Sequence, residues 1–265
     1  MSKASSQAPA DDNPRGQAVR RGRDEARFLH GPRSRCEELR RLVRIGAEFV
    51  RGLRALHFLG PAVAVFGSAR LGEGHAAYAQ GRAVGRALAD QGFAVLTGGG
   101  PGLMEAANRG AREAGGLSVG CSIQLAHEAE SNPYLDLEVD FHYFFIRKVM
   151  MVKYACGFVL LPGGLGTLDE LFETATLVQT RKIRAFPLVL LGREFWTPVL
   201  DLLRTRLVAA STLSQRDVDR LVITDDPAQA ARHIRRVAQQ RFGVRWGPKP
   251  KAMLGEKQVR PAERR

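Results

Sequence analysis

Residues 157–174 read GFVLLPGGLGTLDELFET. An apolar run, Phe158 to Leu161, meets Pro162-Gly163-Gly164-Leu165-Gly166-Thr167 and passes into an amphipathic pattern opened by Asp169 and Glu170. That order predicts a buried strand, a tight glycine loop and a helix N-terminus. Gly163 and Gly164 let the backbone come close to a ligand, and the first-turn amides of the helix carry unpaired N–H groups and partial positive charge. A phosphate is the usual guest of such a place. The loop lacks the Lys-Ser/Thr ending of a P-loop and does not fit G-x-G-x-x-G, so it gives no support to a generic kinase or dehydrogenase reading.

Outward from this stretch the same grammar repeats. Ala62 to Phe66 is a short apolar strand running into Gly67-Ser68, and Phe93 to Leu96 is another, running into the second glycine loop, Gly98-Gly99-Gly100-Pro101-Gly102. Strands are also expected at Leu117–Ile123, Leu137–His142, Phe186–Leu191 and Leu221–Thr224, with Pro187 limiting pairing at the start of its strand. Helices are expected at Ser34–Leu56, His75–Gln91, Leu103–Ala114, Tyr143–Cys156, from the PGG loop to Gln179, at Phe195–Ala209 and from Pro227 to Gln240. The first presents Leu39, Leu42, Val43, Ile45, Phe49, Val50 and Leu53 near helical spacing, as a helix lying against the domain. Gln124 to Asp136 has no periodicity and reads as a loop over the pocket. Strand and helix alternate throughout, which predicts an α/β fold: a single Rossmann-like, doubly wound parallel sheet in three αβα layers over residues 34–240. Ligands of such sheets sit at the carboxyl ends of the strands.

The chain has 265 residues and a net charge of +13. Much of the excess lies in residues 1–33, read as a disordered basic segment, and in a basic tail at 241–265. Basic blocks without interleaved aromatics disfavour nucleic acid as a partner. Cys36, Cys121 and Cys156 are widely spaced and odd in number, as in a protein of the reducing cytoplasm. No apolar segment approaches a membrane span, and the N-terminus lacks a secretory apolar core. The histidines are scattered, so neither a metal centre nor a Ser-His-Asp triad has supporting spacing.

Three motifs then stand in order: Gly98 to Met104 (GGGPGLM), Arg147-Lys148, and Pro162 to Glu170 (PGGLGTLDE). Together they closely resemble the signatures of the LONELY GUY family, cytokinin-activating phosphoribohydrolases whose members were often mislabelled lysine decarboxylases. The resemblance covers roughly residues 60–225. It implies hydrolysis of a nucleoside 5′-monophosphate at its N-glycosidic bond, releasing a purine base and ribose 5-phosphate with no organic cofactor or metal. It also implies assembly as dimers or larger oligomers, with the Arg-Lys and PGG helices near the interface. Extra segments at both ends, and FHYFFIRKVMM around the Arg-Lys pair, resemble the longer bacterial branch and leave both prenylated nucleotides and plain AMP as substrates.

N-glycosidic cleavage builds positive charge on the sugar, so it needs a carboxylate beside the ring and a fixed grip on the phosphate. The family motif puts that carboxylate on Glu170. The same Thr167-x-x-Glu170 spacing is also that of a capping box, in which the two side chains merely satisfy helix amides. Arg147 matches the family's essential arginine, placed to hold the phosphate or orient Glu170, with Lys148 adding a point charge. Gly163, Gly164, Gly166 and Thr167 are assigned to the phosphate. Gly98, Gly99 and Gly100 are assigned to the nucleoside side or to loop packing, and Met104 and Asn108, a helical turn apart behind them, either touch the base or fill ordinary core and cap roles. Glu128 or Glu130 is a weaker acidic candidate in the loop over the pocket.

Two other classes share the fold. A non-catalytic nucleotide or molybdenum-cofactor carrier would have the same glycine loops, but retention of both Arg147 and Glu170 argues for the enzyme. A nucleic-acid-binding protein would account for the charge. A decarboxylase is disfavoured because nothing marks a lysine for a pyridoxal Schiff base.

Overall fold

The computed structural model describes residues 34–123, 131–183 and 186–242, with short pieces at 28, 30–32 and 259–261. The loop candidates Glu128 and Glu130, and most of both basic flanks, lie outside the described residues. Seven strands form one sheet: β1 (Ala62–Phe66), β2 (Ala94–Thr97), β3 (Ser118–Ile123), β4 (Leu137–Phe141), β5 (Ala155–Leu160), β6 (Leu188–Leu191) and β7 (Leu221–Thr224). Their spatial order is β4-β3-β2-β1-β5-β6-β7, and every neighbouring pair is parallel. Parallel neighbours need crossovers, and helices on both faces supply them.

The helices are α1 (Arg35–Leu56), α2 (Ala76–Asp90), α3 (Leu103–Glu113), α4 (Phe144–Tyr154), α5 (Leu165–Gln179), α6 (Arg193–Leu202), continued by a π-helical turn at Leu203–Val208, then α7 (Gln215–Asp219) and α8 (Pro227–Phe242). Side chains alternate across β1: Val63 and Val65 meet α2, α3 and α8, while Ala62, Ala64 and Phe66 meet α4, α5 and α6. A three-layer αβα sandwich results, as the alternation of elements predicts. On the first face α2 and α3 touch backbone to backbone. A Cβ on Gly85 would lie 2.0 Å from the Ala107 carbonyl oxygen, and one on Gly110 would lie 1.9 Å from that of Arg82.

The chain winds outward from β1 to β4, returns to the middle, and winds outward again from β5. The switch point therefore falls between the carboxyl ends of β1 and β5, where open sheets of this kind leave a crevice. The PGG loop leaves β5 at that place.

One expectation needs correction, one holds in part, and one short helix is not legible in the sequence. Ala155 and Cys156 belong to β5 rather than to the end of the preceding helix: Ala155 pairs with Ala62, and the Cys156 thiol donates to the Ala62 carbonyl at 3.1 Å. Strand pairing to the central strand overrides the helical spacing. On α1, Ile45, Phe49 and Leu53 pack against the core as the spacing predicts, whereas Leu39, Leu42, Val43 and Val50 face solvent, and the residues it fully buries are Glu48, Gly52 and Leu56. The one-turn helix α7, closed by a Ser214–Asp217 capping box, has too little periodicity to read from sequence. Of the flanks, Phe28 lies 6.2 Å from the Tyr143 ring, and Val259 packs on the core.

Candidate active site

Three loops meet at the switch point and are knitted by backbone hydrogen bonds. The Ser68 amide donates to the Pro162 carbonyl at 3.0 Å, and the Ser68 carbonyl accepts from the Leu103 amide at 3.0 Å. The loop after β1 thus ties the PGG loop to the start of α3. Gly102 turns with φ +70°, and a Cβ there would stand 2.5 Å from the Ser68 oxygen, so this crossing requires glycine. The cross-links hold the loop backbone at a fixed shape before any ligand arrives.

At the PGG loop, a Cβ on Gly163 would lie 2.1 Å from the Thr167 Oγ1. Only glycine lets the Thr167 side chain fold back over the loop. Gly164 is the N-cap of α5 and gives no side-chain cap, while the Thr167 and Leu168 amides close on its carbonyl at 3.0 and 3.1 Å. Gly164 and Gly166 are exposed with open space where side chains would be. The turn at the positive end of α5 is consequently open to solvent, the setting in which free helix-start amides can hold an anion.

Glu170 sits in the second turn of this helix and is 2 % exposed. Neither of its carboxylate oxygens has a hydrogen-bond partner among the described residues. This settles the capping alternative, because the N-cap is Gly164 and Glu170 bonds no helix amide. Burial pushes its pKa up to about 7, against the pull of Lys148 and Arg147 downward and with Glu173 and Asp169 pushing it further up. An acid so placed exchanges its proton near neutrality.

Arg147 and Lys148, on α4, approach from the side. The Arg147 guanidinium carbon lies 4.5 Å from the Phe144 ring centroid, a stacking contact that orients the planar cation. A Cβ on Gly98 would stand 3.6 Å from Arg147 Nη1 and 2.9 Å from Met104 Sδ, so the arginine and the methionine both lie over the triple-glycine loop. Lys148 is drawn into the interior, its side chain 13 % exposed. Its Nζ bonds Asp169 at 2.8 Å and also Glu173, the residues flanking Glu170 on α5. Burial draws the Lys148 pKa down, but the two carboxylates outweigh it and the net shift is upward. Lys148 thus ties α4 to α5 beside Glu170.

Asn108 takes the core role that the sequence leaves open beside contact with the base. It is fully buried, accepts from the Thr97 hydroxyl at 2.6 Å and donates to Ser118 Oγ at 2.8 Å. It also accepts from Asn132 Nδ2, which in addition donates to the Gly99 and Gly100 carbonyls at 3.1 Å each. Asn108 and Asn132 hold the triple-glycine loop from behind, and Thr97 accepts the Gly99 amide at 2.9 Å. Asn132 is absent from the residues singled out by sequence; the Asn132-Pro133 turn signal is its only trace there.

An open cleft of about 790 Å³ lies against the same loops on the α2 side, bounded by Ser68, His75, Gln80, Pro162, Gly163 and Phe195 among others. Among the described residues no three His, Cys, Asp or Glu side chains converge as metal ligands, and no helix is long and apolar enough to cross a membrane.

Comparison with known proteins agrees with this geometry. A family model described as "Possible lysine decarboxylase" matches residues 104–234, which include Arg147 and the whole PGG stretch. A cytokinin riboside 5′-monophosphate phosphoribohydrolase of Rhodococcoides fascians is 33 % identical over 144 residues, 52 % of this chain and 72 % of that protein. One of the same description from Mycobacterium marinum is 38 % identical over 96 residues, 36 % of this chain and 51 % of that protein. A pyrimidine/purine nucleotide 5′-monophosphate nucleosidase of Escherichia coli is 29 % identical over 200 residues, 71 % of this chain and 43 % of that protein. The chain therefore spans about half the length of several relatives it matches. Among solved structures, the X-ray structure of TM1055 superposes with a TM-score of 0.51 at 26 % identity, covering 66 % of this chain and 99 % of that one.

Proposed function

Because the chain belongs to the LONELY GUY family, we propose that it hydrolyses the N-glycosidic bond of a nucleoside 5′-monophosphate, a cytokinin riboside 5′-monophosphate or AMP, to free base and ribose 5-phosphate. The observation that carries this reading is Glu170: a buried carboxyl without a hydrogen-bond partner among the described residues, titrating near neutrality, on the helix whose N-terminal turn is open to solvent.

The 5′-phosphate docks on the loop amides of Gly163, Gly164 and Gly166 with the Thr167 hydroxyl, and the binding energy of this remote group fixes the ribose. The C1′–N bond breaks with its electron pair leaving on the base, and positive charge develops at C1′ and the ring oxygen. The ionised carboxylate of Glu170 stabilises that charge in a dry setting, where an electrostatic contact is strong. Water adds to C1′ as the hydroxyl of ribose 5-phosphate, and its proton balances the one taken up by the departing base. Arg147, aimed over Gly98 and stacked on Phe144, grips the phosphate and helps keep Glu170 ionised. Gly98 to Gly100 and Met104 shape the nucleoside side, and Asn108 acts on that loop from within. No step needs a pyridoxal lysine, so the decarboxylase description of the family model does not match this chemistry.

We place the reaction in the cytoplasm, which suits three unbridged cysteines. The active unit is at least a dimer joined through α4 and α5, where Phe145, Val149, Leu165 and Phe172 are exposed around the site. A monomer in sedimentation at micromolar protein would refute that assembly. The activity itself is tested by measuring the free base, adenine from AMP or isopentenyladenine from isopentenyladenosine monophosphate, together with the ribose 5-phosphate released from each. Wild type should release both in equal amounts, and Glu170→Ala and Arg147→Ala should lose activity while remaining folded. Nucleotide binding without release by wild type would refute the enzyme and favour a carrier.

A further inference from the structure

The helix that carries Arg147 and Lys148 has no cap of its own. Its N-cap residue is Tyr143, whose side chain bonds no helix amide. A helix start leaves four amides without intrahelical partners, and buried ones must be satisfied elsewhere. For the amide of the N-cap residue Tyr143 the partner comes from α1, 95 residues earlier in the chain. The Glu48 carboxylate, 5 % exposed, accepts from the His142 amide at 2.8 Å and the Tyr143 amide at 3.0 Å through one oxygen, Oε1. A negative group there also complements the positive end of α4.

The rest of α1 follows α4 along its length. Arg51 donates to the Asp140 carbonyl at 2.7 Å at the end of β4. A Cβ on Gly52 would lie 2.9 Å from the Phe141 ring and 3.3 Å from Met150 Cγ, so the two helices approach closely at that glycine. At the far end the Tyr154 hydroxyl donates to the Leu53 carbonyl at 3.2 Å. α1 lies outside the residues matched by the family model, so this bracing is built by a segment beyond the matched core.

We infer that Glu48 is a positioning residue for the hydrolysis, a buried cap supplied by α1 that fixes the first turn of α4 and through it the aim of Arg147 and Lys148 at Glu170. The inference rests on the functional reading of Glu170 and Arg147 above. A displacement of about 1 Å in a positioning group can cost on the order of 100-fold in rate. Substrate grip is shared with the PGG loop, so the loss falls on kcat more than on KM.

The test compares Glu48→Ala and Glu48→Gln with the wild-type chain. Gln keeps an oxygen acceptor for both amides, so Glu48→Gln should retain kcat within a few-fold, while Glu48→Ala should lose roughly 10- to 100-fold in kcat for AMP with little change in KM. The pH profile separates positioning from support. Glu170 faces Arg147 and Lys148 from α4 and Asp169 and Glu173 from its own helix. When α4 loosens, the cations withdraw while the carboxylates stay, so the acid limb of kcat should move to higher pH in Glu48→Ala alone. Amide hydrogen exchange at residues 144–148 should quicken in the same variant. A Glu48→Ala protein that melts lower yet keeps wild-type kcat and an unmoved acid limb would overturn the proposal and leave Glu48 a purely structural cap. Faster exchange at 144–148 in the variant of a chain whose wild type cleaves neither AMP nor its prenylated counterpart would instead sink the hydrolase reading, and the catalytic role of Glu48 with it.

Discussion

Replacing Glu170 by glutamine should stabilise the protein, and by an amount that depends on pH. The side chain is buried, its oxygens bond no described residue, and burial raises its pKa from 4.5 to about 7. A carboxyl with a raised folded-state pKa keeps its proton in the native state while the unfolded chain releases it. The native state is thus favoured fully below pH 4.5, and that advantage is lost as pH rises from 4.5 through about 7. Each tenfold change in a protonation equilibrium is worth about 1.4 kcal/mol, so the burden of carrying Glu170 is roughly 1 kcal/mol at about pH 5.5 and roughly 3 kcal/mol at about pH 8.5. Glutamine has nearly the same shape and no titration. The gap in stability between Glu170→Gln and wild type should therefore widen by about 2 kcal/mol between those pH values, or about 4–8 °C in Tm for a chain of this size. Urea or thermal denaturation of both proteins at each pH measures it. A gap that stays constant with pH, or that narrows as pH rises, would show that Glu170 is solvated or paired in the native state. It would remove the physical basis for the role given to it.

Further outcomes follow from the same geometry. The kcat of wild type should rise through an acid limb near pH 7, where Glu170 ionises, and in Arg147→Lys, which keeps charge without the planar stack on Phe144, the rate should fall while the limb stays close to its place. Gly163→Ala drives a methyl into the buried Thr167, so phosphate binding, read as the affinity for ribose 5-phosphate, should weaken by about 10-fold or more, and the clash should also cost about 1–3 kcal/mol of stability. Asn132→Ala strips the Gly100 carbonyl of its side-chain donor, while the Gly99 carbonyl keeps the Asn132 amide and Asn108 keeps the Thr97 hydroxyl, so the loss should be about 1–3 kcal/mol in urea denaturation, with activity falling as the loop loosens.

What was legible in the sequence was what local pattern controls. The strands at Ala62, Phe158 and Leu221 are apolar runs that end in glycine or aspartate turns, and each overlaps its expected place, although β5 begins three residues early at Ala155. The PGG and triple-glycine loops were legible because glycine marks backbone crossings, and those crossings are real at Gly102 and Gly163. Partners distant along the chain were not legible. Ala155 and Cys156 read as helix until the pairing with Ala62 is known. Glu48 and Asn132 are single polar residues whose bonds close over 94 and 33 residues, and no period or motif announces such contacts. Lys148 reads as a point charge in sequence, yet its length and the spacing of Asp169 and Glu173 on the adjoining helix turn it into a tie between helices. The role of Glu170 is ambiguous in sequence because one spacing serves both a cap and a catalytic carboxylate; the N-cap at Gly164 removes the capping reading.

The most direct test of the central claim is to measure AMP binding and adenine release side by side in wild type and Glu170→Gln. If Glu170 acts on the developing sugar cation while the loop amides hold the phosphate, Glu170→Gln will bind AMP about as tightly as wild type and release adenine at least roughly 100-fold more slowly. Equal rates of adenine release in the two proteins would contradict the account.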